Sequence, residues 1–311
     1  MDKKIKIAED YQKFLRISFD AYLTELKRGD LEPSEGYLPY DFEEAIDARH
    51  WQFDDIHLDV NRRSIINDMV KSELRELTND LNQWHESLRN WYAWNKVLQF
   101  FSTDEAKAWE LRRAFLETLI FYCLFQPSSS RDRLTFVVTN TMHQVRLMVE
   151  KGYQDYLKGD PKTPDEIKKP NHMSRQKKEN RLSTLISIWP EGTEFMELLR
   201  AIDNEAYKKE TSNYRNLHSH IIGPRLGLGH VRIVVRSVEE RSTPTKQPDG
   251  TYIETPNGNV GPIYSFGIGI PPLDLEKARI ANLEQYRRAR RCYASYRKLF
   301  AVGLEAMPPV R

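Results

Sequence analysis

The sequence has little cysteine, almost no net charge and no long apolar run, and each shortage excludes a class of protein. Two cysteines in 311 residues, Cys123 and Cys292, cannot form a disulfide framework or a Cys₄ metal site, which favours a reducing compartment. The 47 basic and 45 acidic residues nearly cancel, so any nucleic-acid surface must be local. The longest purely apolar run, residues 119–125, is too short to span a bilayer, and no apolar signal region opens the chain. We therefore expect a cytoplasmic protein with no membrane partner.

Apolar residues recur with a helical period over most of the chain. The predicted helices are 9–28, 41–49, 64–101 (one helix or two joined), 102–127, 128–157, 182–189, one from about 193, and 274–301. Ser102 with Glu105 resembles a capping box at the start of the predicted helix 102–127. Pro127 is expected to end this helix. Between the helices, the basic and proline-rich segment 158–181 is predicted to be an exposed loop. Three tryptophans, Trp84, Trp91 and Trp94, are expected in the core or an interface.

The pattern changes after Gly223, where alternating apolar and polar residues predict strands. We expect one strand at 230–238, a hairpin turn at Asp249-Gly250 and a third short strand at 263–270. The predicted fold class is therefore mainly α: a helical bundle (64–302) with a small β-hairpin insertion (230–270) before the C-terminal helix. Residues 1–60 are predicted to form an N-terminal helix and an irregular extension.

The stretch YRNLHSHIIGP, which begins at Tyr214, concentrates polar groups that are able to do chemistry. We predict a helix over 211–222 capped by Thr211 or Ser212. At about 100° per residue, one arc of about 140° carries a polar set. This set is Arg215, Asn216, Ser219 and His220. His218 falls on the opposite, apolar arc, where we expect it to be packed as a structural residue.

The polar arc suits cleavage of a phosphodiester without a metal ion. A guanidinium holds phosphate oxygens through a fork of donors, and an imidazole moves protons near neutral pH. In RNA the 2′-OH attacks the adjacent phosphorus, so a base, an acid and a cation are sufficient. The competing interpretation is an ordinary polar surface on a solvated helix.

Arg215-Asn216-x-x-x-His220 resembles the R-N-x-x-x-H signature of the HEPN superfamily, whose members are all-helical domains of toxins and phage-defence proteins. The resemblance implies a HEPN-like bundle and a metal-independent endoribonuclease that needs no cofactor. It implies that Arg215 holds the scissile phosphate, His220 transfers a proton and Asn216 supports the geometry. It also implies RNA as partner, a homodimer with a shared active site, and an antitoxin or defence-complex partner. The alternative is a non-catalytic HEPN-like module for protein interaction or nucleotide sensing.

Two other groups of residues are candidates for binding. RNA phosphates could contact basic side chains of the last helix and of segment 158–181. These candidates are Arg287, Arg288, Arg291, Lys177 and Lys178. A solvated helix face explains the same basic run equally well. A metal site at His218-x-His220 with His230 is a further alternative, but the two helical histidines point apart and no ligand cluster accompanies them, so we predict no metal.

Overall fold

The computed structural model is mainly helical, with a two-stranded antiparallel sheet before the last helix. It describes residues 2–31, 35–52, 65–168, 173–227, 229–267 and 269–310. The helices are α1 (Asp2–Arg28), α2 (Glu43–Asp47), α3 (Ile65–Phe100), α4 (Glu105–Leu111), α5 (Glu117–Val149), α6 (Pro164–Ile167), α7 (Arg175–Ile186), α8 (Glu191–Ala201), α9 (Glu205–Glu210), α10 (Tyr214–His220) and α11 (Leu275–Ala306), and the strands are β1 (Val234–Lys246) and β2 (Tyr252–Phe266). The predicted fold class, mainly α with a small hairpin before the C-terminal helix, is confirmed.

Two compact units divide the chain. The first unit joins Met1–Lys208 to Arg279–Arg311 and contains the helical bundle, and the second unit is Lys209–Ala278. Helix α1 packs on α3 within the first unit. The Tyr22 ring stacks on Trp94 with a centroid distance of 4.6 Å, and the Tyr22 hydroxyl donates a hydrogen bond to Asn90 Oδ1 at 2.7 Å.

Aromatic side chains fill the core of the first unit between α3, α5 and α11. Trp84 and Trp91 are completely buried and Trp94 nearly so, which confirms the core position expected for all three. Trp84 meets the ring of Tyr286 edge to face at 5.5 Å, an arrangement that aromatic rings favour. Because α3 runs unbroken over its whole length, one of its faces supplies all three tryptophans of this layer, and α11 supplies the tyrosine that meets Trp84.

Pro127 lies inside α5, so the prediction that it ends a helix is wrong. A proline within a helix leaves the carbonyl four residues earlier without its backbone donor. That carbonyl belongs to Cys123, and the side-chain amide of Asn282 donates to it at 2.7 Å. The amide oxygen of Asn282 in turn accepts a hydrogen bond from Trp84 Nε1 at 2.8 Å. A tertiary contact from α11 therefore supplies the partner that α5 cannot supply for itself.

The start of α4 also differs from the prediction, because Asp104 rather than Ser102 caps it. The Asp104 carboxylate accepts a hydrogen bond from the backbone N–H of Lys107 at 3.2 Å. Hydrogen bonds from the side chain and the backbone of Lys107 lower the pKa of Asp104. The residues before the cap form a turn in which the Asp104 N–H donates to the Phe101 carbonyl at 2.9 Å, so Ser102 lies outside the helix. Helix α4 then continues through a π-helical turn at Arg112–Leu116 into α5.

The basic segment 158–181 contains more helix than predicted. Helix α7 begins at Arg175, well before the expected Leu182, and Ser174 caps it. Arg175 donates hydrogen bonds to Asp132 and Asp203, so long-range ion pairs stabilise the first turn of a helix that is poor in apolar residues. Residues 169–172 of this segment lie outside the described residues.

Both helices predicted in the N-terminal region are present, with different bounds. Helix α1 begins at Asp2 rather than Glu9 and ends as expected before Gly29, whose φ of +57° favours glycine. The short helix predicted at 41–49 is α2, Glu43–Asp47. Residues 32–34 and 53–64 of the predicted irregular extension lie outside the described residues.

In the second unit, β1 and β2 form one long hairpin around the predicted turn at Asp249-Gly250. The prediction of a separate third strand at 263–270 is wrong, because β2 runs continuously from Tyr252 to Phe266. A register shift opposite Glu240 allows the strand to continue. Gly258 adopts a φ of +73° there, and its N–H donates to Glu240 Oε1 at 3.1 Å.

The described helices include none that is both long and apolar enough to cross a bilayer. Both cysteines are free and buried. Burial raises the pKa of both thiols, so neither is a ready nucleophile.

Candidate functional site

The R-N-x-x-x-H residues lie on α10, which is shorter than the predicted helix at 211–222. Ser212 and Asn213 adopt left-handed backbone conformations, with φ values of +52° and +51°. A right-handed helix cannot include such residues, so α10 starts only at Tyr214 and neither Thr211 nor Ser212 caps it. The helix ends at His220, two residues before the Gly223-Pro224 pair. The predicted helix is therefore correct in type and wrong in length.

Asn216 holds Arg215 in place through a short chain of hydrogen bonds. Arg215 Nη1 donates to Asn216 Oδ1 at 2.9 Å. Asn216 Nδ2 donates to Asn213 Oδ1 at 2.8 Å, which fixes the orientation of the Asn216 amide. The backbone turn that shortens α10 thus places Asn213 where its side chain can support the motif.

Arg215 carries a positive charge that no carboxylate neutralises in the described part of the chain. Its only hydrogen-bond partner there is the neutral amide of Asn216, and its side chain is half-buried. Many arginines of the first unit, in contrast, pair with Asp or Glu. The remaining donors of the guanidinium are available to an anion.

His220 is exposed at the C-terminal end of α10. Within the described residues its ring makes no hydrogen bond, so both ring nitrogens are open to a substrate. Arg215 and His220 are five residues apart, which separates them by about 140° around the helix axis. One helix alone therefore presents the two groups at opposite edges of its polar arc.

His218 differs from its prediction, because the structure exposes it rather than packing it among apolar side chains. Its ring stacks on Tyr214 with a centroid distance of 5.2 Å and an interplanar angle of 10°. The apolar arc on which the prediction depended does not form a core face, since Ile221 and Ile222 follow the end of the helix and are more than half exposed.

Three of the candidate RNA-binding arginines form ion pairs within the first unit. Arg287 binds Glu35 through two hydrogen bonds, at 2.5 and 3.0 Å. Arg288 and Arg291 share Glu284, at 3.2 and 3.1 Å. The hydrogen bond to Glu35 raises the pKa of Arg287. These ion pairs connect side chains within the first unit. RNA binding by the three arginines stays a prediction.

The other two candidates, Lys177 and Lys178, are exposed on α7 in the first unit. The motif lies in the second unit, on α10. As for metals, the described residues contain no cluster of three or more His, Cys, Asp or Glu side chains that could hold an ion.

Asn213 is the residue of the site that the sequence did not single out. Its signal was weak, because an asparagine after a serine marks many turns. Only the left-handed conformation of both residues brings the Asn213 side chain to Asn216.

Comparison with known proteins finds no matching family model, no matching curated protein and no matching solved structure. The resemblance to HEPN proteins is therefore carried by the motif residues and by the helical fold class.

Proposed function

We propose that this protein is a metal-independent endoribonuclease in which Arg215 and His220 act on the scissile phosphate. The observation that supports this function best is the state of Arg215, which a neutral amide orients and which no described carboxylate neutralises. A guanidinium in this state has its charge available for a phosphate. The exposed imidazole of His220 on the same helix supplies a group that can transfer protons near neutral pH.

In the proposed reaction the 2′-oxygen of RNA forms a bond to the adjacent phosphorus as the bond to the 5′-oxygen breaks. The 2′-hydroxyl gives up its proton to a base, and the leaving 5′-oxygen takes a proton from an acid. Arg215 stabilises the charge that develops on the non-bridging oxygens. The products are a 2′,3′-cyclic phosphate and a 5′-hydroxyl, and no water or metal ion takes part in this step.

A homodimer would supply the second proton-transfer group. One His220 can act as base or as acid in a given step, whereas two copies related by a two-fold axis along the polar arc provide two histidines and two arginines. By resemblance to HEPN proteins, we place this activity in a toxin, phage-defence or stress role, with RNA as substrate and an antitoxin or defence-complex protein as possible regulator.

The test is cleavage of mixed RNA in EDTA by the wild type, His220→Ala and the control His230→Ala. His230 is an exposed histidine of the same unit that lies outside the motif. We expect cyclic-phosphate ends from the wild type and the control, and a loss of at least about 100-fold in His220→Ala. Equal cleavage by His220→Ala would disprove the assignment of the site.

Mixing two inactive variants tests the shared site. Arg215→Ala and His220→Ala chains are unfolded together, refolded and assayed for cleavage. A shared site retains one arginine and one histidine in the mixed dimer, so partial activity should return. Activity that stays absent in a dimer proven to be mixed would contradict a shared site in which one Arg215 and one His220 are sufficient.

A non-catalytic interaction module is the second candidate, and the exposed hairpin favours it. Large apolar side chains on β2 face solvent, including Tyr264 at 67% and Phe266 at 87% exposure. Exposed apolar surface of this kind marks protein-binding sites. Cleavage by none of the variants under any condition, together with protein binding that is lost in Phe266→Ser, would favour this candidate over the ribonuclease.

A further inference from the structure

A cleft in the first unit is lined by basic and aromatic side chains that the proposed function does not use. It lies between the C-terminal end of α5, the segment 153–159 and α7, and encloses about 1470 Å³ including its open mouth. Four of its twelve described lining residues are cationic and none is acidic. The cations are Arg146, Lys158, Lys177 and Arg181.

Arg146 is the one of these four cations whose guanidinium is held by several contacts within the protein. It pairs with Glu150 and donates hydrogen bonds to the carbonyls of Thr184 and Leu185 at 3.2 and 2.8 Å. These contacts tie α5 to α7 and leave little of the guanidinium for a ligand. Arg146 therefore builds the wall of the cleft rather than its binding groups.

Arg181 is not satisfied within the described residues. Its Nε is buried and has no hydrogen-bond partner there. Its closest carboxylate is Asp160, at 4.0 Å from Nη1, which is too long for a hydrogen bond. A buried N–H without a partner destabilises the fold, and an oxygen of a bound anion would remove that cost.

Lys158 and Lys177 add two charges at the same cleft. Both are exposed, and neither forms an ion pair in the part of the chain that the structure describes. Two ammonium groups and a guanidinium around one space, with no lining carboxylate, are suited to a phosphate group.

Two tyrosines give the cleft an aromatic wall. Tyr153 is fixed, because its hydroxyl contacts His143 Nδ1 at 2.9 Å while His143 Nε2 contacts Asp155 at 2.8 Å. Tyr156 is 40% exposed and has the Lys162 ammonium 5.1 Å from its ring centroid, so a planar group would take the ring surface that Lys162 leaves. Stacking on an aromatic side chain is favourable for every base, because each base has a flat π face.

We propose that this cleft binds a nucleotide, with the phosphate at Arg181, Lys158 and Lys177 and the base against Tyr156. A phosphate next to a planar ring is the ligand that combines both parts of the lining. The proposal is independent of the ribonuclease assignment, because all of its residues belong to the first unit and Arg215 and His220 belong to the second.

The experiment is calorimetric titration of the full chain carrying His220→Ala, so that RNA cleavage cannot affect the result. The probes are AMP, ATP, adenosine, inorganic phosphate and a short single-stranded RNA. We expect AMP or ATP to bind, and Lys177→Ala and Arg181→Gln each to weaken binding by tenfold or more. Lys151→Ala is the matched control, since Lys151 is exposed just after α5 and does not line the cleft.

Each other outcome overturns part or all of the proposal. No binding of AMP or ATP at millimolar concentration, or equal weakening by Lys151→Ala, would disprove the site. If inorganic phosphate binds as tightly as AMP, the base makes no contribution and stacking on Tyr156 is disproved. Tighter binding of the RNA, with the same dependence on Lys177, would make the cleft a nucleic-acid surface. Circular dichroism of Arg181→Gln separates lost binding from lost folding, and Lys177→Ala changes only an exposed side chain.

Discussion

The polar side chains of the first unit and those of α10 differ in what they contact. In the bundle, arginines face carboxylates and carbonyls, as Arg131 does with Glu179 and Arg287 with Glu35. On α10, Arg215 faces one neutral amide and His220 faces solvent. In the described residues the basic run of α11 contacts carboxylates and carbonyls, whereas Arg215 contacts a neutral amide. The local density of charge in the sequence therefore does not indicate which arginines have a carboxylate partner in the structure.

The largest expected effect comes from breaking a buried ion pair of the bundle. Arg131 and Glu179 form two hydrogen bonds, at 2.7 and 3.0 Å, and their side chains are only 14% and 6% exposed. Arg131→Met leaves the Glu179 carboxylate buried without its main partner, so we expect the free energy of unfolding to fall by about 3–5 kcal/mol. Urea denaturation followed by circular dichroism measures this change. Arg133→Ala, which removes the exposed pair with Asp80, should cost less than about 1 kcal/mol. Similar losses in the two variants would contradict the comparison.

Arg215→Ala removes the arginine of α10, which has no carboxylate partner among the described residues. We expect RNA cleavage to fall by about 100-fold or more, which corresponds to about 2.7 kcal/mol of transition-state stabilisation. The free energy of unfolding should change by less than about 0.5 kcal/mol, because no ion pair is lost. The matched control is Arg133→Ala, whose guanidinium pairs with Asp80 and whose loss should leave cleavage unchanged. A large loss of stability in Arg215→Ala would show that this arginine is structural.

Asn216→Asp gives Arg215 a carboxylate partner, such as many arginines of the bundle have. The new carboxylate still accepts the hydrogen bond from Arg215, but it neutralises the charge that the phosphate would use. We expect cleavage to fall by about tenfold, with stability unchanged or raised by up to about 0.5 kcal/mol. Parallel cleavage assays and urea denaturation measure both effects. Full activity in this variant would mean that the unpaired charge of Arg215 has no role.

The smallest expected effect concerns a histidine of the bundle. Burial lowers the pKa of His85, whose ring Nδ1 is buried without a hydrogen-bond partner among the described residues. The unfolded chain therefore binds a proton more readily, so stability is complete above about pH 6.5 and decreases as the pH falls below it. His85→Gln should reduce this acid sensitivity in urea denaturation between about pH 5 and pH 8. The exposed His230→Gln should leave the profile unchanged, and an equal flattening by both would refute the assignment.

Local signals predicted the helices and the hairpin, because period and turn chemistry act over a few residues. Long-range contacts decided what the sequence left open. Pro127 remains inside α5 because of Asn282, and the basic run of α11 is neutralised in part by Glu35, which lies 252 residues before Arg287. The motif residues could be read directly from the sequence. The ends of their helix could not, since two left-handed residues in succession leave no periodic signal.

The hydrogen bond from Asn282 to Cys123 also has a consequence for the order in which the chain folds. The two residues are 159 positions apart, so α5 is synthesised long before α11 emerges from the ribosome. Until α11 docks, the Cys123 carbonyl can bond only to water, and the turn around Pro127 is the weakest part of α5. The bundle therefore completes its folding after translation of the last helix, and a nascent chain without α11 presents the Pro127 turn to chaperones and proteases.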